Sequence, residues 1–183
     1  LDPPDWANGG DSPAWSRKRA PYQPPPDISW GGGEPGTVPY AELHCHTNFS
    51  FGDGASHPEE LAEEAARLGL EALAVTDHDG FYGVVRFAEA ARAVGLPTVF
   101  GAELTLDGPV LPPLGAADPP GEHLVVLARS PEGYARLARA ATAAQMAGQK
   151  GAPRIGAEAL AEHADGRWAV LSGCRKGPLA TAL

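Results

Sequence analysis

The sequence predicts an α/β fold carried by a mostly parallel sheet, flat or closed into a barrel. Three observations predict it. From Val38 onward, strand-like and helix-like patterns alternate along the chain. The run "EALAVTD" (71–77) is short and nearly all apolar, as expected of a strand buried on both faces. The chemically distinctive side chains fall at the ends of predicted strands, where the loops of α/β barrels carry the chemistry.

Residues 1–38 precede this pattern and read as a tail, leaving 39–183 as the domain. The stretches "LDPPDWANGGDSPAW", "SRKRAPYQPPP" and "SWGGGEPGTVP" are dense in proline and glycine and hold no apolar period. A disordered tail or loose linker is therefore expected, with Trp15 and Tyr22 available to anchor it on a partner. "YAELHC" reads as the first strand. "SHPEELAEEAARLGL" reads as a helix: Ser56 and Glu59 have capping-box spacing, Pro58 sits in the first turn, and Leu61, Ala65 and Leu68 form one stripe before Gly69. After the strand at 71–77, "GFYGVVRFAEAARAVG" gives a second helix with Val84, Phe87, Ala88, Ala91 and Val94 on its apolar face. "LPTVFGAELTL" supplies one strand or two, "LDGPVLPPLGAADPPGE" a loop, and "HLVVLA" another strand. Ser130 and Pro131 start a helix running through Met146, "GAEALAEHA" is a further helix, and "RWAVLSGC" is the last strand.

Composition narrows the class. A chain of 183 residues, 43% hydrophobic and 20% charged, is enough for one soluble domain with a core. The net charge of −9 argues against a surface that coats nucleic acid, which wants a basic face. It leaves open a nucleic acid that reaches a metal-lined cleft, because bound cations reverse the local field. Two cysteines make no disulfide framework, and nothing resembles a signal peptide or a membrane span. A reducing cytoplasm and no membrane partner are expected.

His44 and His46 end the first strand and, two residues apart, point to one face of it. Asp77 and His78 end the second, Glu103 ends or interrupts the third, His123 opens the next and Cys174 closes the last. Two imidazoles joined by carboxylates from neighbouring strands suit zinc, manganese or iron. Each residue also has a plainer reading. Asp53 in "FGDGA" fits turn chemistry, and Asp77 or Asp79 fits a cap on the following helix. His123 fits a surface strand end, and Cys174 is either a buried thiol or a soft ligand. Glu103 between two apolar stretches needs a partner, and a metal is one of few good ones. Cys45 faces away from its histidine neighbours into the core. His57 and His163 read as structural, and Arg175 and Lys176 as solvated charges rather than phosphate contacts.

Taken together, "LHCHTNFSFGDG", "ALAVTDHDGFYGVVRFAEAA", "TVFGAEL", "GEHLVVLARSPEGYARL" and "LSGCRKG" resemble the PHP domain (polymerase and histidinol phosphatase) of bacterial replicative DNA polymerase alpha subunits, especially the error-prone, damage-associated branch. The resemblance runs from about Ser12 to the end. It implies a distorted (β/α)7 barrel with metals at its C-terminal face. It places His44, His46, Asp53, His78, Glu103, His123 and Cys174 as metal ligands, with His46, Asp53 and His78 catalytic. The metals are divalent, zinc or manganese, with magnesium serving a polymerase domain that this chain does not contain. DNA becomes a partner through the parent polymerase, with other replication or repair proteins beside it.

The family's last ligand pair does not occur before "GPLATAL". A full barrel of this architecture takes roughly 250 residues, whereas 39–183 spans 145. The expectation is thus an incomplete barrel that binds metal without efficient exonuclease turnover and makes no DNA alone. Two other functions compete with a metal-dependent phosphoesterase in a DNA polymerase: a structural or docking module that has lost metal chemistry, and a free-standing phosphatase of the histidinol phosphatase type.

Overall fold

The computed structural model describes residues 22–33, 36, 38–106, 121–149, 151–173 and 177. Among these residues, five strands form one sheet in the order β1-β2-β3-β4-β5: β1 Ala41–Glu42, β2 Ala72–Val75, β3 Thr98–Thr105, β4 His123–Ala128 and β5 Trp168–Leu171. Among them too, four helices intervene: α1 Pro58–Arg67, α2 Val84–Val94, α3 Pro131–Ala147 and α4 Ala157–Ala164.

The sheet corrects one expectation. β1–β2 and β2–β3 are parallel, but β3–β4 and β4–β5 are antiparallel, so the sheet is mixed rather than mostly parallel. The connections explain it. No described helix lies between β3 and β4, so β4 runs back beside β3. Two helices, α3 and α4, then carry the chain out and back to the end where β4 finished, and Arg129 N–H donates to Arg167 O there at 3.1 Å. The reversal puts His123, the first residue of β4, at the same end of the sheet as Glu103, near the close of β3.

Register and the two-residue side-chain period divide the sheet into two faces. Leu73 and Val75 pack with Phe87, Ala90, Ala91 and Val94 of α2 and Ala62, Ala65 and Ala66 of α1. Ala102, Leu104, Val126 and Trp168 pack with Leu137, Ala140, Ala141 and Ala144 of α3 and Leu160 of α4. All four helices thus cover one face. The other face carries Ala74, Val125 and Leu127, with Val99, Ala169 and Leu171 against them. Glu103 opposes Val125 in the β3–β4 register, so its side chain belongs to this second face.

Local chemistry accounts for the ends. Gly95 terminates α2 at φ +83°, a left-handed position that glycine occupies without penalty. Ser130 caps α3 by accepting from Gly133 N–H at 3.1 Å, with Pro131 as the first helical residue. The box expected for Ser56 and Glu59 lies one residue later: His57 is the N-cap, and its N–H donates to Glu60 at 2.7 Å. The stripe shifts with it, so that Ala62, Ala65 and Ala66 are buried and Leu68 is exposed.

Residues 22–33 hold no helix or strand, in keeping with their prolines and glycines, yet they are not a loose linker. The Tyr22 hydroxyl donates to Glu63 at 2.5 Å. Trp30 donates its backbone N–H to Val94 O at 2.7 Å and its indole N–H to Leu70 O at 2.8 Å. Apolar side chains every few residues dock this segment on the α1–α2 core. Residues 1–21, Trp15 among them, lie outside the described residues.

Candidate metal centre

Regular pairing of β1 stops at Glu42, short of the predicted 40–45, but the backbone stays beside β2. Thr76 N–H donates to Cys45 O at 2.9 Å, and Cys45 N–H donates to the Thr76 hydroxyl. His44 and His46 therefore reach the same target. The Nε2 atoms of both approach one oxygen of Glu103, Oε2, at 2.6 and 2.8 Å. The other oxygen, Oε1, lies 3.0 Å from His123 Nδ1. Glu103 and His123 are each 1% exposed. His46 also meets Asp53 through Nδ1, and the same Asp53 oxygen lies 3.4 Å from His78 Nε2. Successive imidazoles adjoin: His44–His46, His46–His78 and His78–His123 centroids are 4.9, 4.5 and 5.3 Å apart.

The six residues make three overlapping groups: His44, His46 and Glu103; His46, Asp53 and His78; His78, Glu103 and His123. Within each group the potential ligand atoms lie within 4.8 Å of one another. His78 Nδ1 is buried with no hydrogen-bond partner among the described residues, an expensive state for an imidazole nitrogen. An all N/O donor set with an orphaned buried nitrogen fits a divalent metal better than it fits a self-contained polar network.

Charge is already shared in this cluster. Hydrogen bonds from His123, His44 and His46 outweigh burial and hold the Glu103 carboxyl far below its usual range. Burial works against a charged His46, but Glu103 and Asp53 prevail and raise its pKa. Burial and the neighbouring His46 lower that of His78.

Neither Asp77 nor Asp79 caps the next helix, as their position suggested. The N-cap of α2 is Gly83, with no side-chain hydrogen bond. Asp79 stands at φ +50° and accepts from the Thr105 N–H and hydroxyl, both at 2.8 Å. Asp77 is buried and accepts from Thr47 and Ser50. Sequence reasoning missed Thr47 and Ser50 altogether. The signal available was a pair of hydroxyls directly after the histidines, facing an aspartate at the end of a buried strand. Cys45 packs on the α1–α2 core, and burial, then the charges of Glu42 and Asp77, pushes its thiol up to about 11. His57 is the α1 N-cap, in contact with Asn48 at 3.0 Å. Cys174, Arg175 and Lys176 lie outside the described residues.

The family model of the PHP domain matches residues 42–183, most of the chain and all six clustered residues. The chain belongs to the PHP domain family. Among curated relatives, the Error-prone DNA polymerase of Nocardia farcinica is 51% identical over 211 aligned positions, covering 96% of this chain and 18% of the relative. That of Mycolicibacterium paratuberculosis is 59% identical over 169, covering 92% of this chain and 15% of the relative. This PHP chain thus spans less than a fifth of the length of either polymerase. Among solved structures, an amidohydrolase of Chromobacterium violaceum with bound sulfate and no metal is 29% identical over 58% of this chain and 33% of its own, with a TM-score of 0.44. A two-domain protein of Bacteroides vulgatus containing a predicted PHP-like metal-dependent phosphoesterase is 17% identical over 88% of this chain and 46% of its own, with a TM-score of 0.45.

Proposed function

We propose that this chain is the PHP portion of an error-prone DNA polymerase. We further propose that its histidine–carboxylate cluster is a metal-dependent phosphoesterase site, working in the whole protein as a 3′–5′ exonuclease. The observation that carries this reading is Glu103: one buried carboxylate faced by three imidazole nitrogens, beside a fourth imidazole whose buried Nδ1 has no partner among the described residues. His44, His46, His78, Glu103, His123 and Asp53 are the residues that would hold zinc or manganese. Cys174 belongs to the same proposal by its motif. When bound, such a metal supplies Lewis acidity toward a phosphoryl oxygen and an acidified water at neutral pH.

The chain's own residues supply the rest. Glu103 links three histidines and keeps their rings turned inward, which fixes where each nitrogen points. Asp53 is the most exposed member, its side chain 38% accessible, and sits where a proton from an incoming water can be taken. Its contacts with His46 Nδ1 and His78 Nε2 hold the Asp53 carboxylate toward the cluster. DNA reaches the site through the parent polymerase, in the cytoplasm, with replication or repair proteins as further partners. The magnesium-dependent synthesis of that polymerase belongs to its other domains.

The test uses the full-length polymerase and a 3′-labelled single strand with manganese present. Nucleotide release is expected, and His46→Ala should reduce it on the order of 100-fold or more while primer extension continues. Release that persists unchanged in His46→Ala would sink the exonuclease assignment. Absence of metal by elemental analysis, together with no release, would instead favour the structural or docking module.

A further inference from the structure

Asp77 lies two residues past the end of β2 with only 1% of its surface exposed, and the hydrogen bonds it accepts among the described residues come from neutral donors. Its Oδ1 accepts from the Thr47 backbone N–H at 2.8 Å, the Thr47 hydroxyl at 3.0 Å and the Ser50 hydroxyl at 2.8 Å. Its Oδ2 accepts from the Thr47 hydroxyl at 2.9 Å. Charge-assisted bonds of this kind offset the cost of burying a carboxylate. The donors are themselves tied down: Thr47 Oγ1 accepts from Phe49 N–H at 3.1 Å, and Ser50 Oγ accepts from His78 N–H at 3.2 Å.

Every strand of this network ends at a member of the metal cluster. Thr47 directly follows His46 in the chain. Ser50 opens a turn in which its carbonyl accepts from Asp53 N–H at 3.0 Å and Gly54 N–H at 2.9 Å, so the turn delivers Asp53. His78 is the next residue after Asp77. The backbone of Gly83 then closes on the network: a Cβ there would stand 2.9 Å from Thr47 Oγ1 and 3.1 Å from Asp77 Oδ2.

We propose that Asp77 is the positioning residue of this centre: its buried carboxylate fixes the 47–53 turn and so sets where His46, Asp53 and His78 present their ligand atoms. The inference rests on the metal reading above for its consequence and on the hydrogen bonds for its cause. Asparagine can replace the carboxylate in this role. Its carbonyl oxygen takes the three bonds of Oδ1, and its amide donates to Thr47 Oγ1, which has a lone pair to spare beside Phe49 N–H. Alanine cannot.

The test compares Asp77→Asn, Asp77→Ala, Thr47→Val and Ser50→Ala in the 183-residue chain by two readouts. The first is manganese affinity by titration, and the second is amide hydrogen exchange of residues 47–54 without metal. Asp77→Ala should weaken manganese binding by about 10–100-fold and speed exchange in 47–54 while α3 keeps its protection. Thr47→Val and Ser50→Ala should do so in part, and they carry the same test if Asp77→Ala does not fold. Asp77→Asn should stay within about threefold of the parent, far less than the loss expected from removing the partner altogether. The proposal is overturned if the alanine and hydroxyl variants leave both readouts at parent level, or if Asn loses as much as Ala, which would make charge rather than geometry the cause. A parent chain that takes up no manganese sinks the metal reading instead, and exchange in 47–54 then decides whether Asp77 holds the turn.

Discussion

His46 and His78 sit 4.5 Å apart, yet their surroundings push them in opposite directions. Burial disfavours the charged form of both. His46 has Glu103 and Asp53 on its two nitrogens and titrates high; His78 has an orphaned Nδ1 and a charged neighbour in His46, and titrates low. In metal-free protein, histidine ring signals followed by NMR should show one of these rings titrating above about 6.5 and the other below it. The signs for stability are opposite. The contribution of His46 is fully present below the unfolded value and is lost as pH rises through its folded one. His78 costs stability as pH falls below the unfolded value toward its folded one. Two rings titrating together near the ordinary value would contradict the arrangement. At this scale the sequence was legible where residue type and spacing jointly constrain chemistry. The two-residue step of His44 and His46 brought both rings to one carboxylate. It was not legible for Asp77 and Asp79, because an aspartate before a helix looks the same in sequence whether it caps that helix or accepts from a neighbouring strand or loop.

Helices α1 and α2 are joined by a pair that the sequence pattern hid. Glu59, fully buried, receives Arg86 Nε at 2.7 Å and an Arg86 terminal N–H at 2.9 Å, and the guanidinium carbon lies 5.9 Å from the centre of the Phe49 ring. Glu59 has a capping-box spacing from Ser56, and a polar residue in the first helical turn is the ordinary partner for such a box. The one-residue shift of the N-cap to His57 gave that task to Glu60 and turned Glu59 inward. Strand and helix existence, the Gly95 stop and the Ser130 cap were readable because local propensity decides them. The partner of Glu59 was not, because it comes from another helix. Removing Glu59 takes from the half-buried Arg86 guanidinium the carboxylate that receives two of its N–H groups. Glu59→Ala should therefore cost about 3–5 kcal/mol in denaturant unfolding. The double change Glu59→Leu with Arg86→Met should recover most of that loss, since apolar residues of similar size pack where the pair stood. A double variant as unstable as Glu59→Ala alone would mean that the pair contributes more than mutual neutralisation.

For the whole molecule, the sequence reading of alternating strands and helices was right about the α/β class and wrong about strand direction. Apolar period tells which residues are buried; it does not tell whether a connection returns the chain to the same end of the sheet. The reversal at β4 has a consequence for stability. The cluster gathers His44 and His46 from beyond β1, Asp53 from the turn before α1, His78 from beyond β2, Glu103 from β3 and His123 from β4. These ligand atoms are neighbours only when the sheet is assembled, so the unfolded chain offers no equivalent site. A metal bound there should stabilise the fold by linkage, by about 2.7 kcal/mol at a free concentration 100 times its dissociation constant, and so raise the melting temperature. For a domain of this size that is a rise of roughly 5–10 °C. The measurement is thermal unfolding after chelation, repeated with zinc or manganese restored. Glu103→Gln serves as the control, because the neutral amide keeps the size of the side chain but forfeits the anionic oxygens that face three histidines. The parent should shift and the variant should shift much less. Equal shifts would place the metal elsewhere, and no shift in either would leave the cluster a histidine–carboxylate network that holds β3 and β4 to the first two strands without metal.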